Sequence, residues 1–195
     1  MVQKKPKYDF PLEAAPLTQE EAEQQMAAFF QKLELEFKDT PEAEINALAQ
    51  KFERYMNGQS SWAELMNLSP NTLLAMADFG YKQFQLGRYP DAERVFKVLT
   101  VLDWNNSYYH SMMGSILQRE KRFGEAVAEY NEAIRLNPYD IISHTHRGEI
   151  YLQHGLLAEA KADLEKAVSL DQEKNNAWAE RAKILLQQLS KQVKG

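Results

Sequence analysis

The stretch "GSILQREKRFGEAVAEYNEAIRLNP", from Gly114 to Pro138, decides the fold. After the opening glycine, Ala126, Tyr130 and Ala133 follow at helical spacings, and the stretch ends on the proline. Small residues at such spacings let two helices approach closely, and a large residue between them fills the remaining space. The stretch therefore predicts parts of two antiparallel helices that pack on each other through their small residues.

The same residue types recur 34 residues upstream and 34 residues downstream of this stretch. The matched columns are Gly80, Gly114 and Gly148; Ala92, Ala126 and Ala160; and Phe96, Tyr130 and Leu164. A 34-residue period with these columns is the tetratricopeptide pattern, in which helix pairs stack into a solenoid. The sequence predicts an all-α tetratricopeptide solenoid of three units, at residues 73–106, 107–140 and 141–174.

Helices are also predicted on both sides of the array. Residues 175–195 continue the phase of the repeats without a partner helix, which is typical of a C-terminal capping helix. Residues 41–68 predict a helix opened by Pro41 and a short capped turn, and the repeat region, residues 69–174, starts at Ser69 and Pro70. Residues 1–40 predict an N-terminal extension with one amphipathic helix, from about residue 18 to residue 38.

The composition excludes several classes of function. A net charge of −5 argues against nucleic-acid binding, which needs clustered Lys and Arg. The chain has no cysteine, so disulfides and thiolate chemistry are excluded. No signal peptide and no apolar run of membrane-spanning length is visible, so we expect a cytoplasmic protein that does not insert into membranes.

No group of residues predicts catalysis or a bound metal. His144 and His146 are two residues apart and would point to different sides of a helix. His110 and His144 both fall at position 4 of their units, where this repeat has a packing residue. Because no catalytic motif is present either, we expect no enzymatic activity, no metal and no cofactor.

We expect the function to lie on the concave face, which the first helix of each unit builds. Positions 2, 5, 9 and 12 project into this groove, with position 6 alongside in the second and third units. The predicted groove residues are Leu74, Ala77, Tyr81 and Phe84; Tyr108, Ser111, Met112 and Ser115; and Thr145, His146 and Glu149. Gln118, Ile142 and Leu152 occupy the remaining positions. Such an apolar and aromatic groove suits an extended protein segment, and the alternative is that Tyr81 and Phe84 pack within their own unit.

A carboxylate clamp of the kind found in Hsp70- and Hsp90-binding co-chaperones is missing. That clamp needs Lys, Asn and Arg side chains at five places on the first helices. Here those places hold Ala77, Tyr81, Met112, Ile142 and His146. A co-chaperone of this kind is therefore disfavoured.

The helix opened by Pro41 carries an apolar stripe with two possible uses. The stripe consists of Ile45, Leu48, Phe52, Tyr55 and Met56. Either this helix and the one before it pack on the array as an N-terminal cap, or at least one of them buries its stripe against a second chain, as in a homodimer. The sequence leaves both alternatives open.

The first unit departs from the general repeat in a way that points to one family. In "GRYPDAERVFKVLTVLD", residues 87–103, Leu99 stands where the repeat has a small residue, and Trp104 follows where it has proline. The run resembles class II type III secretion chaperones, the LcrH/SycD group, with the pattern G-(K/R)-Y-x-D-A-x-x-(V/I)-F-x-x-L-x-x-L-D. The preceding "ELMNLSPNTL", residues 64–73, also resembles this family.

This resemblance implies an ATP-independent chaperone in the bacterial cytoplasm. Its partner would be a secreted client, usually a hydrophobic translocator, bound through an extended segment with a Pro-x-Leu-x-x-Pro-like motif. Many such proteins self-associate through the helices before the repeats. Two alternatives remain open: a chaperone of a gatekeeper or another secreted protein, and a tetratricopeptide scaffold unrelated to secretion.

Overall fold

The computed structural model describes residues 38–192 and three single positions before them, Gln24, Gln31 and Leu35. Residues 38–192 form these helices: α1 Glu42–Met56, α2 Trp62–Leu65, α3 Pro70–Gln85, α4 Tyr89–Leu102, α5 Ser107–Arg119, α6 Phe123–Leu136, α7 Ile141–Gln153, α8 Leu157–Leu170 and α9 Ala177–Gln192. The chain divides into two compact units, Met1–Lys51 and Phe52–Gly195, and the array lies in the second. Most of the predicted helix at residues 18–38 lies outside the described residues.

The predicted all-α solenoid is confirmed. The helix pairs α3 and α4, α5 and α6, and α7 and α8 form the three repeats, and α9 packs on the last pair. The described part of the chain contains no strand, and none of its helices has the length and apolarity needed to span a membrane.

Each repeat is held together by a glycine on its first helix that faces a large residue on its second. A Cβ atom added to Gly114 would lie 2.7 Å from the ring of Tyr130, which is fully buried. Gly80 meets Phe96 and Gly148 meets Leu164 in the same way, each at 2.9 Å. The packing role predicted for these two columns is therefore confirmed.

We expect Gly114→Ala to lower the free energy of unfolding by about 1–3 kcal/mol, because the buried ring of Tyr130 has no room to move away from the new methyl group. Urea denaturation measures this change. Gly124→Ala is the matched control, since nothing lies within 4 Å of a Cβ added there, and it should be neutral or slightly stabilising. Equal effects of the two substitutions would contradict this account.

The first helix of every repeat is followed, two residues after its last residue, by a residue with left-handed backbone. Gly87 and Gly155 have φ of 73° and 75°, and Lys121 takes the same position in the second repeat with φ of 62°. At all three ends, the next residue donates its N–H to a carbonyl five residues back, at 2.9 Å. This is the Schellman motif, which favours glycine because a Cβ crowds the left-handed conformation.

We expect Lys121→Gly to raise the free energy of unfolding by about 1 kcal/mol, because it relieves the left-handed strain of a residue with a Cβ. Lys121→Ala is the control, since it removes the same charged side chain and keeps the Cβ. Urea denaturation should show stabilisation by glycine alone. Stabilisation by both substitutions would mean that the charge, and not the backbone, is unfavourable.

Two histidines link helices in an arrangement that repeats with the solenoid. Nδ1 of His110 lies 2.8 Å from a carboxylate oxygen of Glu129, and its Nε2 lies 3.1 Å from the carbonyl oxygen of Trp104. His144 repeats this geometry with Asp163 at 3.0 Å and the carbonyl of Pro138 at 3.3 Å. The predicted packing position therefore also joins the two helices of a unit and the preceding turn through hydrogen bonds.

The charge state of His110 reflects this pairing. Burial opposes protonation of the ring, but the hydrogen bonds with Glu129 and the Trp104 carbonyl outweigh it, so the pKa of His110 is raised. With both ring nitrogens acting as donors, the histidine is positioned to interact with a carboxylate and a carbonyl at once.

Candidate peptide-binding cavity

A cavity of about 630 Å³ opens between α3, α5, α7 and α9. These are the first helices of the three repeats together with the capping helix. The volume falls within the range of ligand-binding clefts, and it suits several side chains of an extended segment.

Seven of the predicted groove residues line this cavity. They are Tyr81, Phe84, Tyr108, Met112, Ser115, His146 and Glu149. Gln118 and Ile142, which occupy further groove positions, also line it. Leu74 is exposed but lies outside the cavity lining, so its contact with a ligand stays a prediction.

The structure corrects the prediction at position 5 of every unit. Ala77, Ser111 and Thr145 are only 4%, 6% and 0% exposed, and none of them lines the cavity. The hydroxyl of Ser111 accepts a hydrogen bond from Ser143 on α7, and that of Thr145 donates to the carbonyls of Ile141 and Trp178. In the second and third units, position 5 therefore faces the next first helix, and these three side chains are not available to a ligand.

Aromatic rings form one end of the cavity. Tyr81 and Tyr108 are 39% and 45% exposed, so both rings present surface to a ligand. Phe84 stacks on Tyr81 with ring centroids 6.5 Å apart and also packs against the core beside Tyr89. Burial, together with the neighbouring Tyr81, raises the pKa of Tyr108, so this phenol keeps its proton and remains a hydrogen-bond donor.

Partly buried hydrogen bonds hold the polar groups beside these rings. The hydroxyl of Tyr130 lies 3.2 Å from the Ser115 hydroxyl and 2.9 Å from the side-chain oxygen of Gln118. Ser115 in turn donates to the carbonyl of Ser111 on its own helix, at 3.0 Å. Burial raises the pKa of Tyr130, so its hydroxyl stays neutral. The cavity wall is therefore ordered before any ligand binds.

A buried carboxylate and a histidine form the other end. Nε of Arg181, on α9, donates to Glu149 at 2.7 Å, and Nδ1 of His146 lies 3.4 Å from the second oxygen of that carboxylate. The His146 ring stands between Tyr130 and Trp178, with centroids 5.7 and 4.4 Å away. Burial alone would raise the pKa of Glu149, but its interactions with His146 and Arg181 lower the pKa, so the carboxylate stays charged.

Six lining residues lie outside the predicted groove positions: Arg119, Lys121, Phe123, Gln153, Trp178 and Arg181. Trp178 and Arg181 belong to the capping helix, which takes the place of a fourth first helix. Trp178 at position 4 of the continued phase signals this role in the sequence. Lys121 is also recognisable in the sequence, because the first and third units have a glycine at the same position of the repeat.

Comparison with known proteins supports the repeat. A TPR repeat model matches residues 114–155 and a tetratricopeptide repeat model matches residues 142–174. Low calcium response locus protein H of Yersinia pestis is 30% identical over 112 residues, which cover 57% of this chain and 67% of that protein.

Two solved structures share the fold at similar levels of identity. SycD, a type III secretion translocator chaperone of Yersinia enterocolitica, is 28% identical with a TM-score of 0.62, covering 66% of this chain and 97% of SycD. PcrH of Pseudomonas aeruginosa has been solved with the chaperone binding region of PopD. That complex is 26% identical with a TM-score of 0.61, covering 64% of this chain and 96% of PcrH.

These relatives belong to the same family that residues 64–103 resemble. The match to low calcium response locus protein H extends over two thirds of that protein, and SycD shares the fold over nearly its whole length. This chain therefore belongs to the family of type III secretion translocator chaperones that includes low calcium response locus protein H and SycD.

Proposed function

We propose that this chain is an ATP-independent chaperone that holds an extended segment of a secreted translocator in the cavity between α3, α5, α7 and α9. The observation that carries the proposal is the line of exposed aromatic surface formed by Tyr81 and Tyr108 beside Met112. PcrH, which shares the fold, has been solved with the chaperone binding region of PopD, and SycD with a peptide of the translocator YopD.

The physical chemistry of the cavity fits an extended segment. Apolar rings provide pockets for side chains such as Leu or Pro, and Ser115, Gln118 and Tyr108 provide hydrogen-bonding groups for the backbone between them. A segment without structure of its own loses chain entropy when it binds, so affinity per unit of buried area is modest. Modest affinity suits a chaperone that must hand over its client.

We place this activity in the bacterial cytoplasm, where a translocator waits before export. Binding would cover apolar client surface and keep the client soluble, with no covalent step and no nucleotide. The chain is thus proposed to act by binding alone.

The test is affinity purification of the full chain from its native cell, followed by limited proteolysis of the captured client. We expect one dominant secreted client and a short protected segment containing Leu and Pro. Capture of a folded domain that stays wholly protected would contradict binding of an extended segment. A gatekeeper or another secreted protein in place of a translocator would confirm the binding mode and change the client class.

We also propose that the chain self-associates through α1. Ile45, Leu48, Phe52 and Met56 are exposed on this helix, while Tyr55 packs against the ring of Trp62 at 4.7 Å between centroids. Four exposed apolar side chains on one helix are typical of an interaction surface. The related SycD has been solved in an alternative dimer.

We expect Phe52→Glu combined with Met56→Glu to shift the chain from dimer to monomer, because two charges enter the apolar contact. Size-exclusion chromatography with multi-angle light scattering measures the mass across concentrations. Gln50→Glu, which adds charge outside the stripe, should leave the dimer intact. A wild-type chain that stays monomeric at every concentration would refute the self-association.

A further inference from the structure

We propose that the cavity selects client segments that carry a carboxylate beside their apolar anchors, and that Arg119 and Lys121 bind this carboxylate. The inference rests on the proposed chaperone function and adds the charge of the client to it. It concerns two cations in the lining of the cavity, which the sequence predicted to be apolar and aromatic.

Charge in the cavity is opposite in sign to the charge of the chain. Three cations, Arg119, Lys121 and Arg181, and one carboxylate, Glu149, line it, whereas the whole chain carries a net charge of −5. The carboxylate is already paired with Arg181. A lining of this kind attracts an acidic group and repels a basic one.

Arg119 and Lys121 are the two cations available to a ligand. Both are exposed, and neither forms an ion pair with another residue in the described part of the chain. The neighbouring carboxylates are paired with Arg122, whose guanidinium contacts Glu93 at 2.8 Å, Glu120 at 3.0 Å and Glu125 at 2.6 Å. The acids around this turn therefore neutralise a different arginine and leave these two cations free.

The backbone of Lys121 gives an independent reason to assign it a role. The first and third repeats place Gly87 and Gly155 at this position, and all three ends share the same hydrogen bond. Glycine would meet the backbone requirement without strain, yet the second repeat has a lysine here, and this lysine lines the cavity. Strained residues cluster where a side chain has a function.

The negative end of a helix dipole also favours cations, and this effect accounts for Arg119 at the last residue of α5. It does not account for Lys121, which lies beyond the helix end in left-handed backbone. Arg119 supplies a planar donor fork for a carboxylate, and Lys121 supplies a point charge. Both kinds of donor suit one acidic side chain of a client.

The experiment compares two short fluorescein-labelled peptides that share Pro-x-Leu-x-x-Pro anchors and differ only in their flanks, which are Glu in one and Gln in the other. Fluorescence anisotropy at low salt gives the Kd of each peptide for the full chain. We expect the Glu peptide to bind about 5-fold more tightly, as partly exposed ion pairs allow, and added salt to reduce this preference.

Three variants test which residues cause the preference for the Glu peptide. Arg119→Gln with Lys121→Gln should abolish it, and Lys121→Gly should weaken it even though it stabilises the fold. Arg94→Gln with Lys97→Gln removes the same net charge from exposed residues outside the cavity and should leave the preference intact.

The outcomes distinguish failure of the acidic-segment inference from failure of the proposed chaperone function. Equal binding of both peptides, or a preference that survives in the Arg119 and Lys121 variant, would overturn the acidic-segment inference and leave the chaperone function standing. Binding of neither peptide would contradict the proposed groove itself, and the inference would fall with it.

Discussion

We expect Tyr81→Glu combined with Tyr108→Glu to abolish co-purification of the client. Each ring supplies exposed aromatic surface inside the cavity, and anchor residues of this kind contribute on the order of 2 kcal/mol each. Their loss, together with two charges in an apolar site, should weaken the Kd by about 100-fold or more. Circular dichroism should show helical content and Tm nearly unchanged, because both rings are partly exposed.

The matched control is Phe79→Glu combined with Tyr139→Glu. Both residues are exposed aromatic side chains, and neither lines the cavity. This variant adds the same two charges and should still retain the client. Unchanged capture by the Tyr81 and Tyr108 variant, or an equal loss in the control, would refute the assignment of the cavity.

The second large effect is expected for Asp163→Ala, which should lower the free energy of unfolding by about 3–5 kcal/mol. The carboxylate of Asp163 is buried and accepts hydrogen bonds from Arg147 Nε and Nη2 at 2.7 and 2.6 Å, and it pairs with His144 at 3.0 Å. Removing it leaves a partly buried guanidinium without its counter-charge. Urea denaturation measures the loss.

Glu129→Ala is the control for this substitution. Glu129 holds the same position in the second repeat and pairs with His110, but it is more exposed and no arginine contacts it among the described residues. Its replacement should therefore cost distinctly less stability. An equal loss for the two variants would mean that the repeated histidine contact, and not the Arg147 pair, carries the stability.

Stability should also depend on pH through Asp163. Burial alone would raise the pKa of this carboxyl, but hydrogen bonds from Arg147 and His144 outweigh it and hold the pKa below its usual value. A group with a lowered pKa stabilises the fold above its unfolded pKa of about 3.9, and this stability is lost as the pH falls through the lower folded value. The difference between wild type and Asp163→Ala should therefore shrink on acidification.

The fold was predictable because one packing constraint repeats. Gly114 and Tyr130 occupy one space between two helices, and the same constraint at the same spacing places the helix pairs before and after them. Gly87 and Gly155 mark the ends of the first helices in the first and third repeats, since few other residues adopt left-handed backbone. Requirements that act within one repeat can therefore be predicted from residue types and their spacing.

The cavity was predictable only in part, because its lining depends on how neighbouring repeats are rotated. Position 5 was assigned to the groove, yet Ser111 and Thr145 turn toward the next first helix. Arg181 was missed because its contact with Glu149 joins residues 32 positions apart, on two different helices. Spacing within one unit says little about such contacts between units.

A client segment that lies in the cavity between the first helices and the capping helix should be within reach of a crosslinker placed there. Photo-crosslinking in the native cell measures this, with p-benzoylphenylalanine in place of Tyr108 in the cavity lining or of Val101 on the exposed side of α4. We expect the Tyr108 position to crosslink to one short client segment and the Val101 position not to crosslink to the client. Crosslinking of the client from the Val101 position alone would contradict this placement of the client.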